Sequence, residues 1–141
     1  MIGPSNLRPS TIRFLSIGVA ISLAIPLIVA RSLAPSPDGL GTHQQLGLPP
    51  CSMRVLFGMR CPACGMTTSW SHLTRGDLLA SIQANAGGAA LGILALVVVV
   101  VATKAAWTGA WPKLGISRAI GIGIIASGAV TVADWAARLL G

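Results

Sequence analysis

Residues 78–103 read LLASIQANAGGAALGILALVVVVVAT, 26 residues without a charge between Asp77 and Lys104. At about 1.5 Å per residue, a helix of that length exceeds the roughly 30 Å hydrocarbon core of a bilayer. The run Val97 to Val101 is wholly apolar, and the stretch predicts a membrane-spanning helix over about 78–102. Its first half is polar for a span. Ser81, Gln83 and Asn85 carry groups that are costly to leave unpaired in hydrocarbon, so they are expected to face protein rather than lipid.

The whole composition agrees. Of 141 residues, 53% are apolar and only 9% charged, with a mean hydropathy of +0.77. Soluble domains carry about a quarter charged residues, and this chain could not cover itself with polar surface in water. The length is that of one domain, 1–141. A second span is expected at about 14–32, where 17 uncharged residues lie between Arg13 and Arg31, with a kink at Pro26. A cleaved signal peptide is the competing reading of this segment. Its apolar part is longer than the usual 7–15 or so residues, and a cut after Ala34 would put Pro35 at the scissile bond, so an uncleaved helix is expected. A third span is expected at about 116–134, preceded by a belt of Lys104, Trp107, Trp111 and Lys113, with Pro112 marking the break. Asp134 and Arg138 stand at i and i+4 beside Trp135, spaced to pair at the water boundary. The fold class is therefore all-α and integral to a membrane, with three spans.

The formal net charge of +7 sets ten Lys and Arg against Asp38, Asp77 and Asp134. The basic residues are scattered singly and aromatics are only 4%, which argues against nucleic acid and for membrane-flanking charge that meets lipid. Three spans divide the basic residues evenly, Arg8, Arg13, Lys104, Lys113 and Arg118 against Arg31, Arg54, Arg60, Arg75 and Arg138. The shortness of the 103–115 connector places it, and the N-terminus, on the cytoplasmic side, with the cysteines outside.

Between the first two spans, residues 33–77 hold the chemistry. Pro35, Pro37, Gly39, Gly41, Gly47, Pro49 and Pro50 punctuate residues 32–60 so densely that a loop is expected, with the apolar Val55-Leu56-Phe57 dipping into the interface or packing on the helices. Then comes Cys61-Pro62-Ala63-Cys64-Gly65-Met66-Thr67-Thr68, with a third thiol at Cys51. Two cysteines three apart can share a metal ion or close a small disulfide. Pro62 removes an amide that a tight knuckle would leave unpaired, and Gly65 permits the positive φ that follows such a turn. The set Cys51, Cys61 and Cys64 supplies three ligands of a four-ligand zinc pattern, with His43 or a partner as the fourth ligand. A short interfacial helix is expected from Met66 to about Thr74. It brings Cys64 near a helix N-terminus, which makes it the expected reactive thiol, and offers Trp70 as an interface anchor. His72 is eight residues beyond Cys64, about 12 Å along a helix, and so is not expected to join a metal there.

These residues also resemble a known family. The run Cys51, Cys61-Pro-Ala-Cys64-Gly-Met-Thr67, then Arg75-Gly76-Asp77 and Asn85, is similar to the bacterial "domain of unknown function 2752" membrane proteins. Their signature is C-P-x-C-G-x-T-R, a short helix, a Gly-Asp pair, and Asn-Pro at the head of a long apolar span. The chain departs at two positions, with Thr68 where that Arg usually stands and Ala86 where the Pro does. The resemblance covers roughly Cys51 to Val101. It implies a small integral protein of the bacterial inner (cytoplasmic) membrane and supplies no activity.

Small residues recur at spacing four in each span: Gly18, Ser22 and Ala30, interrupted by Pro26; Ala80, Ala84, Gly88 and Gly92; Ala119, Gly123, Ser127 and Thr131. Such rows let helices approach closely in lipid and predict a compact bundle, self-association, or docking to other membrane subunits. Two functions compete. One is an accessory or scaffolding subunit with a zinc-binding cysteine knuckle. The other is a membrane thiol–disulfide oxidoreductase using Cys61 and Cys64 as its redox pair and Cys51 as the resolving thiol, although the βαβ context of thioredoxin-like enzymes is absent. A transporter or channel would need oligomers to build a path from three spans.

Overall fold

The computed structural model describes residues 7–140, and among them the only regular structure is helical. Three helices are long and apolar enough to cross a membrane: α1 (Pro9–Ser32), α5 (Ala86–Thr108) and α6 (Leu114–Leu140). Between α1 and α5 lie a 3-10 helix (Thr42–Leu46) and three short helices, α2 (Ser52–Phe57), α3 (Met66–Leu73) and α4 (Leu78–Ala84).

α1 opens on Pro9 after an extended Arg8, since the first helical position needs no N–H partner. It continues through Pro26 to Ser32, with Arg31 in its last turn. α5 is the central helix, flanked by α1 and α6, with α3 packed against α1, α4 and α5 near the entrance to α5. The interior is built from small residues, Ala89, Ala95, Ala102 and Ala105 of α5 among them, while Phe14, Val100 and Ile125 are 77%, 68% and 75% exposed. Large apolar side chains on the outside and small ones within is the pattern expected where lipid covers the surface.

The structure corrects four sequence expectations. First, the stretch expected as one span from residue 78 is two helices, because Asn85 adopts an extended conformation (φ −164°, ψ 109°) between α4 and α5. Second, residues 32–60 are not a bare loop. Their glycines cap short helices: Gly41, Gly47 and Gly58 take positive φ at the ends of the 3-10 helix and α2. Third, Gln83 is exposed rather than facing protein, because α4 turns Ser81 and Ala84 inward. Of the two expectations for Val55, Leu56 and Phe57, their 66%, 72% and 67% exposure excludes only packing on the helices.

The fourth correction concerns the small-residue rows. Gly18 of α1 faces open space, whereas α1 buries Ile12, Ser16, Leu27 and Ala30. The rows in α5 and α6 do pack, but on different neighbours. A Cβ on Gly88 would stand 3.3 Å from Met66, and one on Gly92 2.6 Å from Leu73, so that face receives α3. α6 is met instead by the adjacent Gly87, where a Cβ would lie 2.5 Å from the Cα of Thr131, and α5 answers at Gly123 with Leu94.

Candidate metal centre

The Cys61–Cys64 turn is held by its own backbone and by one side chain from the head of α5. Cys64 N–H donates to the Cys61 carbonyl at 3.0 Å and Met66 N–H to that of Ala63 at 3.1 Å. Gly65 follows at φ +88°, and a Cβ there would stand 2.7 Å from the Ala84 carbonyl oxygen and 2.8 Å from that of Gly39. Glycine is thus required at this position by both conformation and space. Asn85, only 3% exposed, closes the arrangement. Its Nδ2 donates to the carbonyls of Pro62 and Cys64, both at 3.0 Å, while its Oδ1 accepts from Gly88 N–H at 2.6 Å. One amide therefore caps α5 and clamps the knuckle 21 and 23 residues earlier in the chain.

α3 anchors the knuckle to the bundle through hydroxyls. Thr68, Ser69 and Ser71 are fully buried. Thr68 Oγ1 lies 2.8 Å from Thr42 Oγ1, Ser69 Oγ lies 2.9 Å from Ser81 Oγ, and Ser71 Oγ donates to the Leu33 carbonyl at 2.8 Å. Thr68 thus fills, with a short side chain, a closed space at the position where the resembled family carries Arg. Arg75 donates to the carbonyls of Ser71 and Leu33, and Arg31 to that of Thr74, tying the ends of α1 and α3 together. Trp70, expected at the lipid interface, donates to the Gly88 carbonyl at 2.8 Å and packs on the glycine face of α5. α6 reaches the same end. Trp135 donates to the Arg60 carbonyl at 2.6 Å, immediately before Cys61. Arg138 pairs with Asp134 at 2.9 Å, as the spacing predicts, and also donates to the Gln83 carbonyl.

Within this frame the sulfurs of Cys51, Cys61 and Cys64 lie within 4.8 Å of one another, all half-buried, a set that could hold a metal ion. Cys61 and Cys64 Sγ are 3.1 Å apart, and Cys64 Sγ accepts from Cys61 N–H at 3.3 Å. Four thiolates, or three with an imidazole, suit zinc, and amide N–H groups aimed at sulfur stabilise the thiolate form. The thiols differ sharply. The backbone N–H of Arg54, followed by hydrogen bonds from Cys61 and Cys64, lowers the Cys51 pKa to about 7. Burial, followed by the Cys61 side chain, pushes Cys64 up to about 12. The expectation that Cys64 is the reactive thiol is therefore reversed. Its sulfur turns back toward Cys61 N–H rather than onto the amides of α3, and it is desolvated there. His43 lines the cavity beside the three cysteines. His72 lies elsewhere, with Nδ1 3.6 Å from Asp77 Oδ2.

Residues 51–100 match the family described as Protein of unknown function (DUF2752). This is the family that the cysteine run resembles, and the matched segment takes in all three thiols, α2 to α4 and most of α5. No curated protein and no solved structure matches the chain. Sequence reasoning singled out the three cysteines but not the part played by Asn85. The available signal was local and covered only the cap: Asn is a preferred N-cap, and Asn85 directly precedes Ala86, the first residue of α5. The carbonyls of Pro62 and Cys64 come to it from far along the chain.

Proposed function

We propose that the chain is an accessory or scaffolding subunit of a membrane assembly, in which Cys51, Cys61 and Cys64 hold zinc as a structural knuckle at one end of the bundle. The observation that carries this reading is the convergence of three sulfurs within 4.8 Å on a backbone clamped by Asn85, Gly65 and Trp135. Thiolate donors select zinc over magnesium or calcium, which take oxygen. Binding would displace the thiol protons, so affinity falls as pH falls. A scaffolding role is supported by α6, where Ser127 is the buried residue while Ile125 and Val132 are exposed and Gly121 and Gly128, on one face, meet open space, leaving an unpartnered face for another helix or a second copy. On this reading the chain sits in the bacterial inner membrane, with the bilayer around its spans.

The second reading is a membrane thiol–disulfide oxidoreductase. The 3.1 Å approach of Cys61 and Cys64 favours it, since a small movement would join them, and Cys51 would resolve or shuttle. Against attack by Cys64 itself, partial burial holds that thiol protonated, so on this reading another of the three sulfurs would have to attack.

Metal content and thiol titration on the same purified, unreduced sample decide between them. The expected result is about one zinc per chain, with thiols that react only after chelation. No metal, one free thiol and one disulfide would sink the zinc knuckle and bring redox chemistry forward.

A further inference from the structure

Three thiolates occupy three corners of a tetrahedron, and the fourth decides whether a zinc centre is closed and structural or open to substrate. Building on the zinc reading above, we infer that His43 is the fourth ligand, binding through Nδ1, and that the centre is a closed three-cysteine, one-histidine site.

The first support is the wall that the sulfurs face. Cys51, Cys61, Cys64 and His43 line one cavity of about 210 Å3. The other polar side chains there include Gln44, Arg54 and Thr67. Arg54 has no lone pair to give, and a neutral amide or hydroxyl is a weaker zinc donor than imidazole. No carboxylate stands on that wall among the described residues.

The second support is how the backbone at His43 is fixed. Its neighbour Thr42 is fully buried, and Thr42 Oγ1 meets Thr68 Oγ1 at 2.8 Å while accepting from Ser36 N–H at 3.0 Å. Gln45, two residues on, exchanges hydrogen bonds with the N–H and carbonyl of Ala34. The 3-10 helix is therefore pinned to the start of α3, four residues past Cys64, while the His43 ring itself is only half-buried.

The third support is the tautomer. His43 Nε2 lies 3.3 Å from the Pro49 carbonyl oxygen, which can only accept, so in the neutral ring Nε2 carries the proton and Nδ1 keeps its lone pair. Metal-bound histidines characteristically donate their second ring N–H to a carbonyl or carboxylate. Here that carbonyl belongs to the residue two before Cys51, so the contact holds the ring beside the segment that delivers a thiolate. The ring lies outside the 4.8 Å sulfur cluster, and ligation requires the side chain to turn inward on its fixed backbone.

X-ray absorption at the zinc edge on the tag-free full chain in detergent, with zinc affinity from chelator competition, tests this. The expected shell is three sulfurs at about 2.3 Å and one nitrogen at about 2.0–2.1 Å with imidazole outer scattering. His43→Ala should keep the sulfurs, lose the imidazole signature and bind zinc at least roughly 10–100-fold more weakly, the loss typical of a removed ligand-orienting partner. His43→Cys should restore a closed four-sulfur shell, and Gln44→Ala on the same wall should change nothing. The chain has two histidines, and His72 is engaged with Asp77. A three-sulfur shell without imidazole in the unaltered protein, or an imidazole signature that survives His43→Ala, overturns the assignment and leaves the zinc knuckle standing. An unaltered protein that takes up no zinc overturns both. If His43→Ala fails to fold, the shells of the unaltered protein and of His43→Cys decide the same question.

Discussion

Asn85 carries more of the site than any other uncharged residue. Its amide can satisfy the surrounding groups in one orientation only, with nitrogen toward the Pro62 and Cys64 carbonyls and oxygen toward Gly88 N–H. Asn85→Asp separates its two tasks. The carboxylate still accepts from Gly88 and caps α5, but it replaces two donated hydrogen bonds with repulsion against two carbonyls. Stability in detergent should fall by about 1–3 kcal/mol, and zinc retention with it. An unchanged melting temperature and metal content in this variant would refute the clamp. The thiols offer a second residue-scale test. In reduced, metal-free protein, mass-resolved alkylation should modify Cys51 first, with a rate that rises through pH about 7 as its thiolate forms. Cys64, pushed up to about 12, should stay slow across the neutral range. Equal rates, or Cys64 ahead of Cys51, would contradict the arrangement of burial and amides described above.

The helices between the first and second spans are too short to persist alone and are held by caps and buried hydroxyls. α4 and α5 each begin on a side-chain cap, Asp77 accepting from Ala80 N–H at 3.0 Å and Asn85 accepting from Gly88 N–H. That second cap is where an apparently continuous apolar run breaks, so that α5 can start beside the knuckle. Ala86 is the first residue of α5 and follows an extended Asn85, a conformation that proline tolerates in the residue before it. The first helical position suits proline, and the resembled family usually carries it there. Ala86→Pro is expected to be neutral or to stabilise by about 0.4–1 kcal/mol through the unfolded state. A marked drop in melting temperature would mean that the Ala86 N–H has a partner or that its φ departs from the proline range.

The molecule as a whole puts its small residues inside, and its helix spacing depends on them. α5 meets α6 at Gly87 and Thr131, one residue in register from the Gly88 and Gly92 face that receives α3. Gly87→Val should push α6 away, cost roughly 1–3 kcal/mol, and loosen the Trp135 bond to Arg60 that steadies the chain before Cys61. Thermal unfolding together with Trp fluorescence would read both effects. If Gly87→Val leaves both unchanged, α6 does not pack on α5 through this glycine.

Hydropathy and local spacing were enough to read an all-helical chain with three helices long and apolar enough to cross a membrane, the grouping of Cys61 with Cys64, and the Asp134–Arg138 pair. Each of these is a property of neighbours in the chain: a sum over a run of apolar residues, a single tight turn, or one step along a helix. The break at Asn85, the outward face of Gly18, the packing of Trp70 on α5, and the order of thiol reactivity depended on the tertiary structure. They depend on which groups far apart in the chain the backbone brings together, and on how much water is left around them. Desolvation of Cys64 and the two carbonyls waiting for Asn85 come into being only when the knuckle closes against the head of α5, and no stretch of sequence read by itself contains that contact.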